Sequence, residues 1–176
     1  MKSSTKMITL VALVCAAPFV SAWVAYYIIK PTGGKSYGEL LETRAMPALA
    51  VPATDADSWN GRWRLIQLVA GDCAKDCEDA LYATRQARTM LGREKDRLSR
   101  IVLVKQPPAT AVLAVHPDLK VIAVPSPLPP EWQADLDRGL LLVDPLGNRV
   151  IVWPKAPDVK KLNQDLARLL RASRIG

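Results

Sequence analysis

Cys73 and Cys77 are the residues of this 176-residue chain whose type, spacing and setting together point to covalent chemistry. They follow an apolar run closed by Gly71-Asp72 and open a stretch that reads as a helix. A thiol in the first turn of a helix meets free backbone N–H groups and the positive end of the peptide dipoles, which stabilise its thiolate and so its nucleophilicity. Residues four apart share a helix face, so a disulfide or a shared metal ion fits the spacing if the first turn is irregular. Soft thiolates suit copper(I). The same pattern also fits a disulfide that only staples a surface loop in an oxidising compartment.

Other candidate residues carry less. Cys15 lies in an apolar segment after Val14, not after the small residue a lipoprotein cleavage site needs, and reads as an apolar filler. His116, the sole histidine, precedes Pro117 in a proline-rich stretch and is expected as a surface or turn residue, with a substitute metal ligand as the alternative. Trp59, Trp63, Trp132 and Trp153 are expected to pack in the core and at its rim. Arg85, Arg88, Arg93, Arg97 and Arg100 are expected on a solvated helix face, the alternative being a basic patch for an acidic partner or lipid head groups. Gly34-Lys35-Ser36 resembles the end of a phosphate loop, but that motif requires a glycine where Ile29 stands and a strand before it.

The elements that must position the cysteines are readable around them. Trp63 and Leu65 alternate against Arg64, Ile66 and Leu68, which predicts a strand over 63–69 running into a core. The following helix runs from Cys73 or Asp76 to about Leu91, capped near Gly92, with Leu81, Tyr82, Met90 and Leu91 facing inward. Ile101 to Val104 predicts a buried strand. Pro107 to Pro130 holds seven prolines and is expected as a helix or irregular crossover around Ala109 to Val115, then a short strand near Val121 to Val124. Leu140–Val143 and Val150–Trp153, joined by Asp144-Pro145-Leu146-Gly147-Asn148, form a hairpin pattern. Asp158 to Arg171 predicts an amphipathic helix with Val159, Leu162, Leu166, Leu169 and Leu170 on one stripe and Asp158 near its N-terminus. This order of strands and helices implies a three-layer α/β fold.

The N-terminus has a different character. From Met7 to Ile29 no residue is charged. Twenty-three residues at about 1.5 Å each reach about 34 Å, enough for a hydrocarbon core of about 30 Å. Lys2 and Lys6 with Val20-Ser21-Ala22 also resemble a signal peptide and its cleavage site, but apolar residues continue to Ile29, which favours an uncleaved anchor. Trp23, Tyr26 and Tyr27 suit an interface near the far end. A short basic tail ahead of the span places the N-terminus inside and the domain outside.

The net charge of +7 looks like a nucleic-acid signal until it is divided. Lys2, Lys6, Lys30 and Lys35 flank the apolar segment and all 17 acidic residues lie beyond them, leaving 20 basic against 17 acidic residues from Ser36 onward. No nucleic-acid partner is expected.

Gly61 to Val104, with Trp63-Arg64-Leu65 and Cys73-Ala74-Lys75-Asp76-Cys77, together with Leu141-Leu142-Val143-Asp144-Pro145-Leu146-Gly147, resembles the Sco/SenC branch of the thioredoxin superfamily over most of residues 59–172. It is also similar to short anchored proteins of proteobacterial cytochrome oxidase gene clusters that keep the cysteine pair. The resemblance implies a thioredoxin-like three-layer fold with a central mixed sheet. It further implies a membrane-tethered protein that assists assembly of the copper centre of cytochrome c oxidase. Three positions depart from that pattern. Glu78 follows the second cysteine where the family has proline. No histidine occurs between Pro130 and Val143, where the family's copper ligand stands, and Leu136 is its approximate equivalent. No proline stands near Arg138, where a thioredoxin has its cis-proline, so ordinary thioredoxin activity is disfavoured.

The resulting expectation is a cytoplasmic tail over 1–6, a transmembrane anchor over 7–29, a linker and edge wrap over 30–58 and a thioredoxin-like domain over 59–176. That domain lies on the periplasmic side of a bacterial inner membrane. Cys73 attacks and Cys77 resolves in thiol–disulfide exchange with a respiratory oxidase subunit or assembly factor. The same pair binding copper(I) as a carrier, and a silent interaction module with a structural disulfide, are the alternatives.

Overall fold

The computed structural model describes residues 2–28, 36–51, 59–69, 73–104, 115–124 and 127–176. They fall into two compact units, 1–35 and 36–176. In the first, helix α1 (Lys2–Ile28) contains Pro18. Its stretch Thr5–Tyr27 is long and apolar enough to cross a membrane. The rings of Trp23, Tyr26 and Tyr27 pack on one another near its end, with centroids 4.8 and 5.2 Å apart.

The second unit is built on one sheet of six strands: β1 (Glu39–Ala45), β2 (Trp63–Val69), β3 (Leu98–Val104), β4 (Leu119–Ala123), β5 (Gly139–Val143) and β6 (Asn148–Pro154). Their order is β1-β6-β5-β2-β3-β4. β2, β3 and β4 run parallel, while β5 pairs antiparallel with β2 and β6, and β1 antiparallel with β6. The mixed sheet expected from the resemblance is present. β3 and β5 are buried along their whole length, which is why they read as unbroken apolar runs.

Helices α2 (Lys75–Thr89), α3 (Pro130–Arg138) and α4 (Val159–Ala172) complete the domain. Strand alternation assigns them to faces. Trp63, Leu65, Leu140, Leu142, Ile151 and Trp153 pack with Ala87 of α2 and with Leu162, Leu166 and Leu170 of α4. The intervening residues Ile66, Leu141 and Val143 pack with Trp132 and Leu136 of α3 and with Trp59. The three layers are therefore α2 and α4, the sheet, and α3. The four tryptophans of this unit are buried, as expected.

Several local expectations are corrected. Of the four residues expected to face inward from α2 and its C-terminal end, Leu81 and Leu91 are buried but Tyr82 and Met90 are exposed. The inward face is made by Ala80, Ala83, Thr84 and Ala87, small side chains that let the helix lie close on the sheet. Gly92 (φ +59°) opens a 3-10 turn over Gly92–Arg97 instead of serving as the helix C-cap, which is Met90. Arg100 is not on a solvated helix face: it lies in β3, 1% exposed. Residues 30–58, expected as linker and edge wrap, contain β1. Its side chains are mostly exposed, so it carries no apolar alternation for the sequence to reveal. Helix α3 was not anticipated; Pro130 occupies its first turn, where the missing N–H costs nothing. The crossover expected around Ala109 to Val115 lies almost wholly outside the described residues.

The hairpin from β5 to β6 forms as its turn residues require. Asp144 Oδ1 accepts from Asn148 N and Oδ2 from Asn148 Nδ2, both at 2.8 Å, and Gly147 takes φ +95°. At α4, Asp158 Oδ1 accepts from Lys161 N at 2.9 Å, an N-cap bond that confirms the placement read from the sequence.

Candidate thiol site at the start of helix α2

Cys73 and Cys77 are joined by a disulfide, with Cα atoms 5.2 Å apart. Ala74 is the N-cap of α2, so Cys73 lies just ahead of the helix and Cys77 in its first turn. The N–H groups of Cys77 and Glu78 both donate to Ala74 O, at 2.9 and 3.1 Å. This tightened first turn is the irregularity that lets residues four apart close a disulfide. Asp76 and Glu78 in the same turn favour the helix through its dipole but oppose a developing thiolate.

Both cysteines are half-buried and pack against the cluster of Val69, Leu81, Val102 and Val104. The parallel register that sets Val69 beside Val104, and Val104 beside Ala123, puts the ends of three strands at this edge of the sheet. β5 runs antiparallel to β2, so its first residues and the end of α3 arrive at the same edge. A cavity of about 280 Å³ results, lined by Gln67, Leu68, Val69 and Cys77 on one side and by Leu136, Asp137, Gly139 and Leu140 on the other, with Lys155 also at its wall. Gly139 is required there: at φ +155° it approaches β6 so closely that a Cβ would run into the carbonyl oxygen of Trp153.

Gln67 was not singled out by the sequence reading. It is in phase with Trp63, Leu65 and Val69 on the face covered by α2, a polar residue at an inward position, and that phase was the available signal. Its Nε2 donates to Cys77 Sγ at 3.9 Å, and its Oε1 is buried without a partner among the described residues. Leu136 lines the cavity as an apolar, buried side chain.

His116 is not brought to the cysteines. It stands before the start of β4, at the end of the parallel strands opposite the disulfide, and β4 alone accounts for about 13 Å of separation at about 3.3 Å per residue. Of the expected surface or turn position, the turn is present, with Leu119 N donating to His116 O at 3.0 Å, but the surface position is corrected, since His116 is 6% exposed. Burial lowers its pKa below the ordinary histidine value, and the positive charges of Arg100 and Arg85 lower it further, against Asp118. Among the described residues no group of three or more His, Cys, Asp or Glu side chains is placed to hold a metal ion. The donor set at the site is thus the two sulfurs, available as thiolates only when the disulfide is reduced.

A family model described as "Transmembrane-like, thioredoxin-like, C-terminal domain" matches residues 63–173. Among solved structures, the fold is similar to apo Sco1 from Thermus thermophilus, with a TM-score of 0.56 and 18% identity over 80% of this chain and 98% of that one. Copper-bound ScoI from Bradyrhizobium japonicum follows at 0.54 and 14% identity, covering 71% of this chain and 99% of that one. Yeast Sco1 with copper bound gives 0.52 and 15% identity, over 78% and 90%. No curated protein sequence matches the chain.

Proposed function

We propose, starting from the fact that this chain belongs to the transmembrane-like, thioredoxin-like family, that it is a membrane-anchored thiol–disulfide accessory factor in assembly of the copper centre of cytochrome c oxidase. The observation that carries the reading is the Cys73–Cys77 disulfide, half-buried at a helix N-terminus, with Cys77 lining a cavity. A staple needs neither the cavity nor the helix dipole, whereas exchange uses both. A thioredoxin-like fold shared with Sco proteins supports the choice of partner, a respiratory oxidase subunit or another assembly factor. The uncharged stretch of α1, preceded by Lys2 and Lys6, supports a single-pass anchor in a bacterial inner membrane with 36–176 on the periplasmic side.

In this reading the Cys73 thiolate of the reduced pair attacks a partner disulfide, forming a mixed disulfide and releasing one partner thiolate. Cys77 then attacks Cys73 Sγ, which frees the second partner thiolate and closes the Cys73–Cys77 disulfide. The reverse sequence, begun by a thiolate attacking Cys73, reopens it. The Cys77→Ser chain in its native membrane should trap a partner through Cys73, and the trapped partner should be a component of oxidase assembly. Absence of any adduct, with oxidase assembly unimpaired when both cysteines are serine, points to a structural disulfide instead.

A copper(I) carrier is the second reading, favoured by the softness of two sulfurs held on one helix turn and by the copper-bound state of two proteins that share the fold. Copper is then cargo. The reduced pair supplies two donors, and the apolar Leu136 stands where the resemblance implies a third. Titration of the reduced full chain with copper(I) decides: stoichiometric binding abolished by Cys73→Ser supports carriage, and no binding removes it.

A further inference from the structure

Gln67 occupies an inward position of β2 between Leu65 and Val69, both of which are buried in apolar clusters. A buried amide oxygen without a partner carries an uncompensated desolvation penalty. Gln67 Oε1 is such an atom among the described residues. An apolar side chain in phase with its neighbours would leave no such atom stranded, so packing alone does not account for the amide. Its bond among the described residues is to sulfur: Nε2–H donates to Cys77 Sγ at 3.9 Å. Among the same residues no hydrogen bond reaches the sulfur of Cys73.

We propose that Gln67 is a positioning residue of the exchange site, which stabilises the thiolate of Cys77 and thereby makes Cys77 the departing sulfur. The proposal rests on the exchange reading above. A partner thiolate forms a bond to Cys73 Sγ, the Cys73–Cys77 bond breaks, and its electron pair leaves on Cys77. The charge then lies beside the Gln67 amide N–H, in the first turn of α2. A weak contact to neutral sulfur becomes a charge-assisted hydrogen bond at that moment, roughly twice as strong as a neutral one. In the return step the Cys77 thiolate attacks Cys73 Sγ of the mixed disulfide and the partner leaves as thiolate, so atoms and electrons balance without a further reagent.

The test measures iodoacetamide alkylation against pH on the full chain in detergent, with Cys15→Ala to remove the third thiol. Cys77 is read in a Cys73→Ser background and Cys73 in a Cys77→Ser background, each with Gln67, Gln67→Leu and the near-isosteric Gln67→Glu. Losing the donor should raise the Cys77 midpoint by about one pH unit, which lowers the thiolate fraction at pH 7 about tenfold and, because the more basic thiolate is also more nucleophilic, the alkylation rate at pH 7 about threefold, with a larger shift for Gln67→Glu. Cys73 should change by less than about twofold. Equal slowing of both thiols, or no change at Cys77 in either variant, overturns the proposal. The alkylation measurement needs no partner, so a failure of membrane trapping with the Cys77 shift intact removes the exchange reading while leaving the Gln67–Cys77 coupling standing.

Discussion

Arg100 in β3 donates from Nη1 to Asp118 Oδ1 at 2.9 Å, which ties the buried end of β3 to the turn that begins β4. The Arg100 guanidinium is otherwise satisfied by Thr84 Oγ1 and by Leu81 O of α2, so one side chain joins the helix, the central strand and the turn. Burial lowers the pKa of Arg100, an effect that Asp118 opposes. Burial also pushes the Asp118 carboxyl up, but the charge and hydrogen bond of Arg100, with the charge of Arg88, outweigh it and hold that carboxyl below the usual range.

Asp118 therefore contributes stability that is complete above the unfolded carboxylate value of about 4 and is lost as pH falls through its lower folded value. Asp118→Asn leaves Arg100 with an uncompensated buried charge and should cost about 2 kcal/mol at pH 7. It should also flatten the acid limb of the stability curve. Urea unfolding of the full chain in detergent at pH 7 and pH 3.5 checks both. Equal losses for the two chains on acidification would refute the linkage.

His116 gives a second pH effect, in a different window. Its folded pKa is depressed by burial first and then by Arg100 and Arg85. Its contribution is thus complete above the unfolded histidine value of about 6.5 and is lost as pH falls from there toward the folded value. Nδ1 is buried without a hydrogen-bond partner among the described residues, so no acceptor offsets the proton. Melting temperatures between pH 7 and pH 5 should fall for the native chain and change less for His116→Gln; parallel slopes count against the assignment.

How legible these devices were in the sequence depends on whether a local pattern encodes them. The β5–β6 hairpin was readable because Asp144, Gly147 and Asn148 make the turn with their own side chains and backbone. α4 was readable because Leu162, Leu166 and Leu170 repeat at helical spacing. Placing the cysteines at a strand-to-helix junction was also within reach. Arg100 was not, because a buried arginine is set by Thr84 and Asp118, which come from other elements. Tyr82 and Met90 were assigned inward on hydrophobicity, yet close helix–sheet packing selected alanines, and the Tyr82 ring instead lies 5.7 Å from the guanidinium of Arg85 at the surface. α3 was hidden by Pro129-Pro130, which reads equally as a loop. Gln67 was visible as a break in an apolar phase, but its target sulfur becomes evident only once α2 is laid over β2.

Asp165 of α4 anchors the first described residues of the domain. Its Oδ2 accepts from Trp153 Nε1 at 3.0 Å, Gly38 N at 2.9 Å and Ser36 Oγ at 3.1 Å. Asp165→Ala strands two buried N–H donors and should cost about 2–4 kcal/mol. Asp165→Asn keeps one acceptor and should cost less. Denaturant midpoints rank the three chains; an alanine variant within about 0.5 kcal/mol of native, the range of ordinary surface changes, would show that water replaces the carboxylate.

Leu136 offers the sharpest separation between exchange and copper carriage. It shares the cavity wall with Cys77, and it stands at the approximate position of the histidine that the Sco/SenC resemblance implies. Imidazole is a good third donor to copper beside two thiolates. If the pair as it stands is tuned for exchange, Leu136→His should bind copper(I) at least about tenfold more tightly than the native reduced chain. Replacing a buried leucine with a polar ring should also lower stability by about 1–3 kcal/mol. Competition with a chromophoric copper(I) chelator gives the affinity ratio. A native chain that already binds as tightly as Leu136→His means that the two sulfurs suffice for cargo, and the preference for exchange over carriage then falls.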